Sequence, residues 1–189
     1  MFKVKRATVN SNTVKKMSDS AMCTRLDGGP MYYMDNPTYW SYGEVQRMVN
    51  NTFVAYDTEL KQDVAIIALM RDDDADANWK IATFSVADGL DQIYDPKSIY
   101  NLAKIMTRKA IEDKTCYTVE CTIDYSVKSI EKSNFCYLEY ALEQLDFKLV
   151  SKKGDLKKKY IRTIKPLDQD YYSWRNEVED YETELFPWK

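Results

Sequence analysis

Residues 2–7 alternate apolar and polar side chains in the two-residue rhythm of a short strand, and the polar stretch 10–13 that follows offers N-caps to a helix carrying Val14 and Met17. Gly28, Gly29, Pro30, Asn36 and Pro37 break the pattern, so 25–37 reads as a structured loop. Val45, Met48 and Val49 then mark one face of a second helix. From 52 the period changes. The β-rich runs 52–56 and 63–70 flank the polar stretch 57–62 as a hairpin, and a third run, 79–86, follows the acidic residues Asp72, Asp73, Asp74 and Asp76. Asp95-Pro96 supplies an N-cap with proline at the first helical position, and Ile99, Leu102, Ala103, Met106 and Ala110 recur at three- and four-residue steps. Residues 117–123 form the next strand. Phe135, Leu138, Ala141, Leu142 and Leu145 define the last long helix, and 147–150 with 159–164 close the pattern as a hairpin around Lys153-Gly154-Asp155.

The chain of 189 residues suits a single domain, with 44% hydrophobic and 30% charged residues. The absence of histidine excludes Ser-His-Asp and Cys-His nucleophile systems and histidine metal sites, leaving carboxylate, Tyr, Lys, Cys or water for any proton transfer. Cys23, Cys116, Cys121 and Cys136 match no zinc spacing, and three of them sit inside apolar runs, so all four are expected to be buried free thiols. No apolar run reaches the roughly 20 residues of a membrane span, and the first residues lack a signal-peptide core; a cytoplasmic protein is expected, with no membrane partner and no metal.

The order strand, two helices, three strands, helix, strand, helix, two strands resembles the GNAT superfamily of acyl-CoA N-acyltransferases over about residues 1–165. Leu145-Asp146-Phe147 stands where that family often has Leu-Gly-Phe. The resemblance implies an α/β (α+β) fold, with a mixed, mostly antiparallel central sheet of about seven strands and helices on both faces. It divides the chain into a GNAT-like domain, 1–166, and a C-terminal extension, 167–189. It also implies acetyl-CoA or another acyl-CoA as donor, held along the strand end at Phe84, Ser85 and Val86 and at the following loop by Gln92, Lys97 and Ser98. General character extends the likeness to small divergent proteins encoded by bacteriophages, some of them acetyltransferases and some virion components.

Two positions depart from the family pattern. Its Gln/Arg-x-x-Gly-x-Gly/Ala loop cradles pyrophosphate with backbone amides at a helix N-terminus. The matching residues here run from Gln92 to Lys97, with Asp95 and Lys97 at the glycine positions and Pro96 removing an amide. The tyrosine that many members use as a general acid falls on Leu142, and Tyr140 lies about 200° away around the helix. Glu120, between Val119 and Cys121, is the weak candidate for a base, set against an ordinary ion-paired strand glutamate.

Two charged segments bear on partners. Eight cations between Lys148 and Lys165 oppose Asp155 alone, which reads as a charged hairpin face and edge protection more readily than as a nucleic-acid contact. Beyond Pro166 the balance reverses, with Asp168, Asp170, Glu177, Glu179, Asp180, Glu182 and Glu184 interleaved among aromatics, a composition suited to a protein partner or a second copy of the chain. Two functions therefore stand: an acyl-CoA-dependent N-acyltransferase with a degenerate coenzyme loop, and a non-catalytic interaction or assembly protein of the same fold, such as a phage virion component.

Overall fold

The computed structural model of the protein describes residues 1–7, 25–28, 51–71, 78–112 and 118–163. Seven strands form one sheet in the order β1-β2-β3-β4-β5-β7-β6. The strands β1 (Phe2–Arg6), β2 (Thr52–Asp57), β3 (Gln62–Arg71) and β4 (Asn78–Val86) are antiparallel neighbours. β4 then pairs in parallel with β5 (Thr118–Asp124). The rest of the sheet is again antiparallel, with β7 (Lys157–Thr163) beside β5 and β6 (Lys148–Lys153) at the edge. The expected α+β fold with a mixed, mostly antiparallel seven-stranded sheet is observed.

The crossover from β4 to β5 contains a four-residue helix, α1 (Leu90–Ile93), and then α2 (Pro96–Glu112). The sequence pattern does not predict α1, which enters through Gly89 at φ 76 and offers too few residues to show a helical period. The apolar stripe of α2 is buried as its spacing predicts, and so are Phe135, Leu138, Ala141 and Leu142 of α3 (Lys132–Gln144). These side chains share one core with Phe53, Ala55, Ile67, Leu69, Phe84, Val119, Cys121 and Ile123, so α2 and α3 lie on the same face of the sheet. Val54, Ile66 and Ala68 alternate with that set and are buried too, so the central strands are covered on both faces. The helices expected around 14–17 and 45–49 lie outside the described residues, as do the acidic stretch 72–76, Cys23, Cys116 and the extension 167–189.

Cys136 corrects the expectation of four buried thiols. It follows core-facing Phe135 by one residue, a rotation of about 100° that carries it to the exposed side of α3, whereas Cys121 is buried in β5. Asp146 shows why the Leu-Asp-Phe sequence can replace Leu-Gly-Phe. It adopts φ 60, the left-handed turn that ends α3, and the following Phe147 amide donates to the Leu142 carbonyl at 3.0 Å. Aspartate is among the few residues other than glycine that tolerate this conformation.

Candidate functional site

β4 and β5 pair only through Asn78 with Thr118, Trp79 with Val119 and Lys80 with Glu120. Beyond that point they part. β4 is irregular here, because its pairing with β3 steps from Ala68 opposite Thr83 to Leu69 opposite Ile81, leaving Ala82 as the extra residue of a bulge. A bulge bends its strand, and this one sits where the two strands begin to diverge.

Leu26 fills the start of the gap. Its amide donates to the Ala82 carbonyl at 2.9 Å and its own carbonyl accepts from the Asp124 amide at 2.8 Å, so one residue bridges the two strands with backbone bonds. Its side chain is fully buried in the helix-side core. The turn that presents it closes with a bond from the Gly28 amide to the Arg25 carbonyl. Gly28 has φ 80, and a Cβ there would come within 3.2 Å of Val127.

Farther along, the gap is bordered by Phe84 and Val86. The Ala87 amide donates to the Val64 carbonyl of β3, so strand alternation turns the backbone groups of Val86 and Phe84 the other way, toward β5. Asn134 at the start of α3 reaches in and accepts from the Val86 amide at 3.0 Å. Ser85, between them, directs its backbone at β3. Of the residues expected to hold a coenzyme, the structure therefore places Phe84 and Val86 along the gap.

Gln92 lies in α1, and Lys97 and Ser98 in the first turn of α2. Gln92 and Lys97 are exposed, whereas Ser98 is committed locally. Asp95 caps the helix: one carboxylate oxygen accepts from the Ser98 amide at 3.1 Å and the other from the Ser98 hydroxyl at 2.8 Å. Tyr94 turns inward and donates from its hydroxyl to Asp57, a fully buried carboxylate at the end of β2. Burial first, then the bond to Asp57 and its charge, push the Tyr94 phenol well above the usual tyrosine range.

Glu120 lies on the opposite side of the sheet from α2 and α3. Val119, Cys121 and Ile123 belong to the helix-side core, so alternation sends Glu120 and Thr122 to the other face. There they line a cavity of about 110 Å³ together with Arg25, Asp27, Lys80 and Lys159. The Glu120 side chain is 17% exposed and pairs with Lys159 Nζ at 2.9 Å, a diagonal contact across β5 and β7. Arg25 forms an ion pair with Asp27 on the turn that carries Leu26. Glu120 is the candidate base, whereas Arg25, Asp27, Lys80 and Lys159 are companions that the sequence pattern does not single out. Lys80 stands between apolar Trp79 and Ile81 as Glu120 stands between Val119 and Cys121, but only the parallel register sets the two side by side.

Leu142 is fully buried and carries no titratable proton. Tyr140 turns aside to pack edge-on against Tyr100 of α2 at 5.0 Å between ring centroids, with Tyr137 on the same ring at 4.9 Å. Among the described residues, no group of three or more Cys, Asp or Glu side chains is arranged to hold a metal ion.

No family model and no curated protein matches the sequence. Solved structures do match. An acetyltransferase of the GNAT family from Streptococcus pneumoniae superposes with a TM-score of 0.55 at 10% identity, over 87% of this chain and 99% of the other. A structure of the NatC complex bound to Gag peptide and CoA gives 0.56 at 14% identity, over 86% and 98%. An N-acetyltransferase from Staphylococcus aureus Mu50 gives 0.50 at 13% identity, over 86% and 97%. The chain has the GNAT acetyltransferase fold. These likenesses lend no support to a phage origin or a virion role, and no described helix is long and apolar enough to cross a membrane.

Proposed function

We propose that the protein is an acyl-CoA-dependent N-acyltransferase with a weakened hold on the coenzyme's phosphates. One observation carries the reading: beyond the pairing of Lys80 with Glu120 the two parallel strands diverge, and β4 turns backbone groups of Phe84 and Val86 into the gap. That edge suits the amide-bearing arm of an acyl-CoA, which would supply an activated acyl carbonyl. Phe84 offers it a donor and an acceptor, and Val86 an acceptor, its amide being held by Asn134. The phosphate end fits poorly. Asp95 sets a negative charge on the first turn of α2 and Pro96 removes a donor, so Lys97 is left as the nearby cation. Glu120 would face the acceptor amine from the other side of the sheet and take the proton that the nitrogen loses as it bonds to the acyl carbon, while the carbon–sulfur bond breaks and the thiolate leaves to be protonated from water.

Titration of the purified protein with acetyl-CoA in a calorimeter at high micromolar concentration tests this, and a flat trace would falsify it. Crystals soaked in acetyl-CoA would place density beside residues 84–86.

A second reading is favoured by the Asp95 cap and by Asn134 on the Val86 amide, both of which occupy groups that a coenzyme would use. In it the fold serves a protein partner, engaged through the acidic, aromatic segment 167–189. Deleting that segment without loss of partner binding or assembly would remove it. Nucleic acid is the reading we set aside, because Lys152, Lys157, Lys158 and Lys159 pair with Asp155, Asp124, Glu139 and Glu120 of the chain itself.

A further inference from the structure

The lining of the cavity at Glu120 says more than that an amine could reach it. Its volume of about 110 Å³ is room for a small charged head group, and it opens to solvent, so the rest of a ligand can extend outward. The charges are mixed: Arg25, Lys80 and Lys159 bring three cations against the carboxylates of Asp27 and Glu120. They come from β4, β5, β7 and the turn at 25–28, so the fold gathers them around one small space. Both internal ion pairs there, Arg25 with Asp27 and Lys159 with Glu120, are partners that a ligand of both charges can exchange with.

From this we infer that the cavity receives the head group of a free α-amino acid, its ammonium against Glu120 and its carboxylate against Arg25 and Lys80. The inference rests on the acyltransfer reading for its consequence, which makes the α-amine the acceptor, but not for its binding chemistry. An α-amino acid head group has five non-hydrogen atoms, carries both charges on adjacent positions, and leaves its side chain free to point out of the mouth. A simple amine would meet Glu120 but bring nothing to the cations of Arg25 and Lys80. A carboxylate or phosphate without an amine would meet the cations but bring nothing to Glu120. The cavity also touches Ile81 and Ala82, where β4 bulges away from β5, so an amine on Glu120 stands at the foot of the gap.

The test is an NMR titration of the full chain, without coenzyme, using free proteinogenic amino acids, the matching amino-acid amides and the N-acetyl amino acids. At least one free amino acid is expected to shift the resonances of Glu120, Thr122 and Lys159 at millimolar concentration, with its amide and its N-acetyl derivative each binding about tenfold more weakly or worse. Glu120→Gln and Lys80→Met should each weaken that amino acid by about tenfold or more while the fingerprint of the remaining amides stays in place. Equal binding of an amino acid and its amide would overturn the inference, and so would silence from every free amino acid. Because no coenzyme is present, a protein that ignores acetyl-CoA can still pass, and one that binds acetyl-CoA can still fail.

Discussion

Tyr94 and Asp57 lie 37 residues apart in sequence and share a buried hydrogen bond in which the phenol donates to the carboxylate. Asp57 also accepts from the amides of Glu59 and Leu60, at 2.8 and 3.2 Å, so one side chain fixes the β2–β3 turn and the loop before α2 together. Tyr94 adds an edge-on contact with Phe2 at 5.2 Å. Tyr94→Phe keeps that ring and deletes only the donor. It should lower the free energy of unfolding by about 2 kcal/mol, the scale of a hydrogen bond to a charged group, with an unchanged denaturant slope. Urea melts of the two proteins measure it.

Leu26 offers a different test, because its backbone and side chain act separately. Leu26→Ala empties a fully buried site and should cost about 3 kcal/mol while both strand-bridging bonds persist. Leu26→Pro removes the amide that holds the Ala82 carbonyl. Hydrogen exchange at the Asp124 amide, which donates to the Leu26 carbonyl, should be slow in the wild type, little changed in the alanine variant and much faster in the proline variant.

The carboxylate of Glu139 on α3 receives Lys158, Tyr125 and Tyr160 at once. Burial acts to raise its pKa, but the bonds from Lys158, Tyr125 and Tyr160 outweigh it, so the group titrates below the usual glutamate range. A lowered folded pKa means stability that is whole above the unfolded value, about 4.3, and is lost as pH falls below it toward the folded value. Glu139→Gln should therefore be less stable at neutral pH and show a flatter acid limb than the wild type. Thermal midpoints across pH 3 to 7 would reveal it, and parallel acid limbs would contradict it.

Asp95 sets stability against coenzyme affinity. Asp95→Gly gives up the side-chain cap on Ser98, which should cost no more than about 1 kcal/mol because glycine is itself a fair N-cap. It also frees the first turn of α2 from a negative charge. Under the acyltransferase reading, acetyl-CoA should bind the variant about tenfold more tightly than the wild type. Calorimetry on both proteins decides it.

The elements that announced themselves were those with long apolar stripes or strong stop signals. Asp95-Pro96 marked the start of α2, and the structure shows Asp95 as its cap. Lys153-Gly154-Asp155 marked the last hairpin, where Gly154 takes φ 61. The bulge at Ala82 did leave a trace: Trp79 and Ile81 flank Lys80 whereas Phe84 and Val86 flank Ser85, so the core-facing positions change parity across Ala82-Thr83, a shift hidden when 79–86 is taken as one run. The role of Leu26 was hidden for another reason. A lone leucine among breakers is an ordinary loop residue, and only the divergence of two distant strands makes a place for it. At the candidate site Glu120 could be picked out as a charge in an apolar strand, but its neighbours Arg25, Lys80 and Lys159 come from three other segments. Their convergence belongs to the topology.

The brief pairing of β4 with β5 also bears on how the chain assembles. On one side of it β1 to β4 form an antiparallel set, and on the other β5, β7 and β6 form another; the two meet through three residue pairs and the two backbone bonds of Leu26. Each set is built from hairpin-range contacts except for β1 and for β5 with β7, whereas the junction joins residue 26 to 82 and 124. Joining segments so distant in sequence is slow, since loop closure must precede any reward. The seam between the halves is thus the natural last step of folding and the first place for the native sheet to open.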